Sequence, residues 1–555
     1  MRSTAINSAC AAVLLGASFA AAKPVSVASS LPPSLEVTIK NGTIKGIALP
    51  TFEQHAFLGI PYSEPPKRFE HSVPRSTPFS GTFNAANYSS ICYGLGNAGT
   101  TPFNQSEDCL SINIVRPDTT TADDKLPIVL WIHGGGAYAG SSALDSYNGS
   151  YIVEQSVEMG MPIIFTSINY RLLVGGFPSG HEAHSLGIEN LGLLDQRLAM
   201  HWLQENIAAF GGDPDKVTVM GESAGGSSIL QHLVAYGGRK QDLFRAAIVE
   251  SGSFYQSYCN WNLTEWREAN WQSLLAATNC TNLACLKELD ADSLYTTAGT
   301  FYDKFLYSID GDFMQEHPVQ LLDEKKFVDV ALLMGVNADE GTILSTKGCD
   351  NDTAVIAGLT SLNQSSYVVL PDQFDALLAA YPDDPAQGIP LNTGDGVLSS
   401  GVQDKRVNSL FNDAIEHSPR RWITSMMSER NAVYSYHFQQ VPYGNTIDIG
   451  STHGVEVPYV FSNPATLGPR ESDADLARLV TRSWISFIHS LSPIHTQLED
   501  VPNWPRYKNR HPVNMVFKAS GSYIEEDDYR SEGIELWTQQ RIVGCKDLAP
   551  KHQLA

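Results

Sequence analysis

The 555-residue sequence predicts an α/β architecture: a large, mostly parallel central sheet flanked by helices, with long helical insertions. Three observations carry that expectation. Near-continuous apolar runs such as Leu126-Pro127-Ile128-Val129-Leu130-Trp131-Ile132-His133 lack the alternation of a half-exposed strand, so they belong in a sheet buried on both faces. Helical spacing separates such runs, as in Leu194, Leu198, Trp202, Ile207 and Phe210. One strand, Val217-Thr218-Val219-Met220, turns through Gly221-Glu222-Ser223-Ala224-Gly225 directly into the helical run that begins at Ser227.

Taken in order, residues 35–46 read as a β-hairpin with Asn41-Gly42 at its turn. Strands follow at 112–115, 126–133 and 162–170. A helix over 190–210 is stopped by Gly211-Gly212-Asp213-Pro214, and the strand 217–220 comes next. Further core strands are expected at 246–249, 330–335 and 432–438. The stretches 254–325 and 365–430 are helical and less regular. Strands joined by helical crossovers imply a mostly parallel sheet with both faces covered.

Gly-x-Ser-x-Gly between a strand and a helix is the nucleophile elbow of the α/β-hydrolase fold. The turn strains the serine backbone, and glycines at 221 and 225 leave room for it. Ser223 Oγ is then held clear of the sheet at a helix N-terminus, where developing negative charge is favoured. A serine hydroxyl is a poor nucleophile near neutral pH. It needs a base, a carboxylate to orient the base, and donors for the oxyanion, here in the order Ser, then Asp or Glu, then His. For the donors, His133-Gly134-Gly135-Gly136 follows the strand ending at Ile132. The N–H groups of Gly135, Gly136 and Ala224 are the expected oxyanion hole. For the carboxylate, Asp339 and Glu340 both follow the strand ending at Gly335. For the base, His453 in the loop Gly450-Ser451-Thr452-His453-Gly454 is preferred to His437, which lies inside a strand pattern.

The formal net charge is −23, which argues against nucleic acid or an anionic membrane as partner. Arg2, the apolar run from Ala9 to Phe19 and Ala20-Ala21-Ala22 read as a signal peptide over residues 1–22, leaving residues 23–555 as one catalytic domain. That run is too short to span a bilayer, and no transmembrane segment is expected elsewhere. Eight Asn-x-Ser/Thr sequons, at Asn41, Asn87, Asn104, Asn148, Asn262, Asn279, Asn351 and Asn363, fit a secretory, extracellular route. Cys10 lies in the leader. The remaining cysteines, Cys92, Cys109, Cys259, Cys280, Cys285, Cys349 and Cys545, are odd in number, so at least one is free or intermolecular. No metal motif and no cofactor fingerprint is present in the sequence.

Taken together these motifs resemble the type-B carboxylesterase/lipase family, which includes cholinesterases and large fungal lipases. Phe57-Leu58-Gly59-Ile60-Pro61-Tyr62, Ser106-Glu107-Asp108-Cys109-Leu110, Asn169-Tyr170-Arg171-Leu172, Asn190-Leu191-Gly192-Leu193-Leu194-Asp195-Gln196, Glu205 to Pro214 and Trp504-Pro505-Arg506-Tyr507 extend the resemblance over most of the chain. The resemblance implies that Glu340 is the acid and His453 the base, with Glu222 and Ser251 as polar supports. It also implies disulfides Cys92–Cys109 and Cys280–Cys285. Three features depart from the family pattern. Ala137 stands where an aromatic is common. The Cys92–Cys109 loop is short and has no tryptophan. Arg68-Phe69 follows Pro65-Pro66 more closely than usual. The expectation is a secreted serine carboxylic-ester hydrolase without a cofactor, acting on a small-molecule ester through an acyl-enzyme. A lipase acting on triglyceride or sterol esters is the alternative. A non-enzymatic adhesion module of the same fold is the remaining reading, although such relatives lose the nucleophile that this chain keeps.

Overall fold

Eleven strands form one sheet through the computed structural model, which describes residues 35–96, 102–254, 263–362 and 373–548. The expected signal peptide, Cys259, Asn262 and Asn363 lie outside those residues, as does the side chain of Cys545. In chain order the strands are β1 (Glu36–Ile39), β2 (Gly42–Lys45), β3 (Ile47–Leu49), β4 (Gln54–Pro61), β5 (Phe83–Asn84), β6 (Ser111–Pro117) and β7 (Leu126–Ile132). Then come β8 (Ile164–Ile168), β9 (Gly212–Glu222), β10 (Ala246–Glu250), β11 (Ala331–Asn337), β12 (Val433–Phe438), β13 (Val513–Phe517) and β14 (Tyr523–Glu526). The large sheet has the order β14-β13-β12-β11-β10-β9-β7-β8-β6-β4-β3, and β1, β2 and β5 form a small separate sheet. From β8 across to β13 every pairing is parallel, and antiparallel strands close both edges. This is the expected α/β-hydrolase architecture.

Strand side chains alternate between two apolar layers, as the pleat requires. On β7, Ile128, Leu130 and Ile132 enter one core while Val129 and Trp131 enter the other. On β10, Ala247 and Val249 face the first core, and Ala246 and Ile248 the second. Burial on both faces explains why these strands read as unbroken apolar runs. The expected 190–210 helix appears as Leu191–Asn206 with a 3-10 turn, Ile207–Phe210, stopped at Gly211 with φ +90°. The insertions are helical, including Leu263–Ala277, Asp404–Asn412 and Ser418–Ser428.

Two details differ from the sequence expectation. In the first hairpin Ile39 pairs with Gly42, so Lys40 and Asn41 make the turn and Gly42, at φ +125°, opens β2. The strands β4, β5 and β13 and the two edge strands of the large sheet, β3 and β14, had no separate strand signal. The two strands β3 and β14 are short and partly exposed, so they carry neither a long apolar run nor strict alternation. No helix among the described residues is long and apolar enough to cross a membrane.

Candidate active site

β9 ends at Glu222, and Ser223 then takes φ +55° and ψ −122°. A non-glycine residue at positive φ is strained, here by about 1–3 kcal/mol, and such strain persists only where neighbours over-determine it. The Ser223 N–H donates to Glu250 O on β10 at 2.9 Å, and its carbonyl accepts the Ser227 N–H at 2.8 Å, which opens the helix Ala224–Gly238. The fit demands glycine: a Cβ at Gly225 would lie 2.0 Å from Ile132 O.

The chain leaving β7 runs in front of this serine. A Cβ on Gly134 would come 3.0 Å from the Ser223 Cβ, so the glycine stretch lies against Ser223. Gly135 (φ +101°) and Gly136 (φ +63°) adopt backbone that side chains disfavour. Among the described residues no protein acceptor takes either N–H. Ala224 is the first residue of its helix, so its N–H has no partner within that helix. The preceding His133 is locked: its ring stacks on Tyr170 at 4.5 Å, and Tyr170 Oη donates to its carbonyl at 2.8 Å. Burial pushes that imidazole down to about 4, so it stays neutral. Ala137 is buried at φ +61°. The aromatic comes one residue later: the Tyr138 ring covers Gly136 and meets Tyr302 edge-on at 4.8 Å.

Glu340 and His453 arrive from the other half of the sheet. His453 Nε2 lies 2.8 Å from Ser223 Oγ, and Nδ1 lies 2.6 Å from Glu340 Oε2. The other Glu340 oxygen accepts from Ser251 Oγ at 2.6 Å and from the Asn337 N–H at 2.7 Å. Asp339, the other carboxylate left open by the sequence, turns away and accepts the N–H groups of Ser451 and Leu391 at 2.7 and 2.8 Å. His437 stays within β12, paired with Glu525 at 2.8 Å and stacked on Tyr529. Glu222 Oε1 approaches His453 Nε2 at 3.4 Å. The structure therefore brings together Ser223, His453, Glu340, Glu222 and Ser251, with Ala224 next to Ser223 in the chain and Gly135 and Gly136 following the Gly134 that packs against it. Cys92–Cys109 and Cys280–Cys285 are disulfide-bonded, and Cys349 is free and buried.

Burial alone would lower the His453 pKa, but the Glu340 charge and hydrogen bond, then Glu222 and Glu416, raise it well above 6.5. A group of buried acids stands behind the pair. Burial, opposed by His453 and assisted by Glu340, pushes Glu222 up to about 7. Burial, with Glu222 and Glu340, pushes Glu456 up to about 8. Burial raises Glu250 and Glu416 well above the carboxylate range. Sequence reasoning missed Glu250, Glu416, Glu456 and Asn337. Glu456, three residues past His453, carried a spacing signal; Glu416 sits in an insertion helix with none. Among the described residues no group of three or more His, Cys, Asp or Glu could hold a metal ion.

A model of the carboxylesterase family matches residues 33–537. The chain belongs to the carboxylesterase family. It is 32% identical to "Lipase 2" of Diutina rugosa over 546 residues, covering 89% of this chain and 94% of that protein. It is 31% identical to "Secreted lipase 1" of Botryotinia fuckeliana over 545 residues, covering 90% of this chain and 91% of that one. Its structure superposes on that of Aspergillus niger EstA with a TM-score of 0.80 at 26% identity, covering 92% of this chain and 99% of the other. This carboxylesterase is thus a carboxylic-ester hydrolase with an α/β-hydrolase fold.

Proposed function

We propose that Ser223, His453 and Glu340 are the nucleophile, base and acid of a secreted serine esterase acting on soluble esters. The observation that carries this reading is the unbroken hydrogen-bonded line from Ser223 Oγ through His453 to Glu340, at 2.8 and 2.6 Å. His453 Nδ1–H donates to Glu340, which leaves Nε2 free to take the Ser223 proton as Oγ attacks the ester carbonyl. The tetrahedral oxyanion forms beside the N–H groups of Gly135, Gly136 and Ala224, and losing one such donor costs about 3–4 kcal/mol of transition-state stabilisation. The His453 imidazolium, held by Glu340, then protonates the leaving alcohol and collapses the intermediate to an acyl-Ser223. Water, deprotonated by the same nitrogen, releases the carboxylic acid and restores the serine. Ser251 and Asn337 hold Glu340 on its far oxygen, and Glu222 flanks the imidazole.

Replacement of Ser223 by alanine tests the assignment: p-nitrophenyl ester hydrolysis falls by about 10⁴-fold or more. Undiminished hydrolysis by the variant overturns it. Residues 1–22 are read as a signal peptide, with residues 23–555 forming one catalytic domain. N-terminal sequencing of the exported protein should begin at Lys23, and a product that keeps Met1 sinks that part. The preference for soluble esters rests on the short loop closed by Cys92–Cys109. The lipase reading is favoured by relatives that are named lipases. A rate that jumps when a triglyceride passes its solubility limit would select it.

A further inference from the structure

Glu340 and His453 stand on separate loops, after β11 and β12, 113 residues apart in sequence. Their alignment needs a tie between the two loops. We propose that Asn337 is that tie and that His417 locks it from behind, both acting as positioning residues for the Glu340–His453 pair. The proposal rests on the triad reading given above.

Asn337 is the last residue of β11 and is fully buried. Its N–H donates to Glu340 Oε1 at 2.7 Å. Its side-chain Nδ2 donates to the carbonyl of Thr452, the residue before His453, at 2.9 Å, and also to Glu456 Oε2, three residues past His453. One residue thus grips the acid with its backbone and both flanks of the base with its side chain. Its own carbonyl accepts from His417 Nε2 at 2.9 Å.

The direction of that last bond fixes the tautomer of His417. A carbonyl has no proton to give, so Nε2 carries it and Nδ1 accepts. The donor to Nδ1 is Tyr529 Oη, at 2.8 Å. That oxygen in turn accepts from Arg420 Nη2 at 2.7 Å, and Arg420 is clamped by both oxygens of Asp527. Donation therefore runs one way, from Arg420 to Tyr529 to His417 to Asn337, while Asn337 donates onward to Glu340. Burial, with Arg530, His437 and Arg420 nearby, keeps the His417 imidazole neutral, so its tautomer is stable across the working pH range.

The helix that carries His417 is shaped for this contact. Asp413–His417 is a π-turn between the helices Asp404–Asn412 and Ser418–Ser428. In a regular α-helix residues five apart point about 140° away from each other, whereas an i to i+5 turn brings them back onto one face. Here Asn412 and His417 do share a face: Asn412 Oδ1 accepts the Gly341 N–H at 3.1 Å, and His417 reaches Asn337. The extra residue lets one helix grip the 337–341 turn at both ends.

The test compares Asn337→Ala, His417→Ala and His417→Gln with the unmodified enzyme, using a soluble p-nitrophenyl ester. Hydrogen-bond partners that orient metal-bound histidines typically change activity about 10–100-fold, and by the same physical argument Asn337→Ala and His417→Ala should each lower kcat by about tenfold or more. KM should move less than about twofold, because the substrate touches neither residue. His417→Gln, whose amide nitrogen can donate from where Nε2 stood, should recover most of kcat. Wild-type kcat in both alanine variants overturns the proposal. So does a loss in kcat that His417→Gln fails to relieve while its thermal midpoint matches that of the unmodified enzyme. If Asn337→Ala does not fold, the two His417 variants decide alone. Ser223→Ala separates the two levels: an active Ser223→Ala sinks the triad reading itself. An inactive Ser223→Ala beside fully active alanine variants sinks only the tie.

Discussion

Ser223 takes its position from its neighbours in sequence, whereas His453 and Glu340 take theirs from residues far along the chain. The elbow needs only β9, the helix that starts at Ala224, and the close pass of Ile132 against Gly225. His453 lies 230 residues from Ser223 and 113 from Glu340, and it is aligned by Asn337, Ser251 and the turn held by helix 404–412. The first region stores its geometry as backbone strain. The second stores it as a set of hydrogen bonds between loops that meet only when β10, β11 and β12 pair. Strain is written into a short motif; long-range hydrogen bonds are not.

That contrast can be broken at graded strength. The largest effect is expected from Glu340→Gln, which leaves the elbow intact but removes the charge that orients His453. kcat should fall about 10⁴-fold, read by steady-state hydrolysis of a p-nitrophenyl ester. Retention of more than a tenth of the activity would show that Asp339 or another carboxylate serves instead. Next comes Arg420→Leu, which leaves the fully buried Asp527 with Arg421 as its one charged partner among the described residues. Breaking a buried pair in this way costs about 3–5 kcal/mol, read from the midpoint of urea unfolding. An unchanged midpoint would mean that the second region does not depend on its ionic core.

Gly225→Ala attacks the first region. Its Cβ would fall 2.0 Å from Ile132 O, so the elbow has to shift. A displacement near 1 Å typically costs about 100-fold in rate, and labelling of Ser223 by a fluorophosphonate should slow by a similar factor. Equal labelling would show that the elbow tolerates movement.

The smallest effect is in the pH profile. In the proposed mechanism His453 must be neutral to act, and the Glu340 charge, with Glu222 and Glu416, outweighs burial and raises its pKa. The acid limb of kcat/KM should therefore lie above pH 6.5, with activity rising as His453 loses its proton. Glu222→Gln removes one of the charges that hold the proton and should move the limb to lower pH. A limb that stays in place would exclude Glu222 from the electrostatics of the base.

The sequence by itself determined most of the sheet's core strands, the elbow and the glycine stretch in front of it. Each follows from a local requirement: apolar runs for burial on two faces, and glycine where backbone meets backbone. Read through the family resemblance, it also indicated Glu340, His453 and two disulfides. From the residues alone, Asp339 and Glu340 stood level. The resemblance pointed to Glu340, and the tertiary structure gives the physical reason, since Asp339 is taken up by the N–H groups of Ser451 and Leu391 while Glu340 faces the imidazole. Only the tertiary structure revealed Asn337, His417 and the buried acids Glu250, Glu416 and Glu456. Their contacts join β11, the β12 loop and the insertion helices, segments with no common period. Hydrogen bonds and buried charge between such segments have no counterpart in local sequence, because the energy that fixes them exists only once the sheet has assembled.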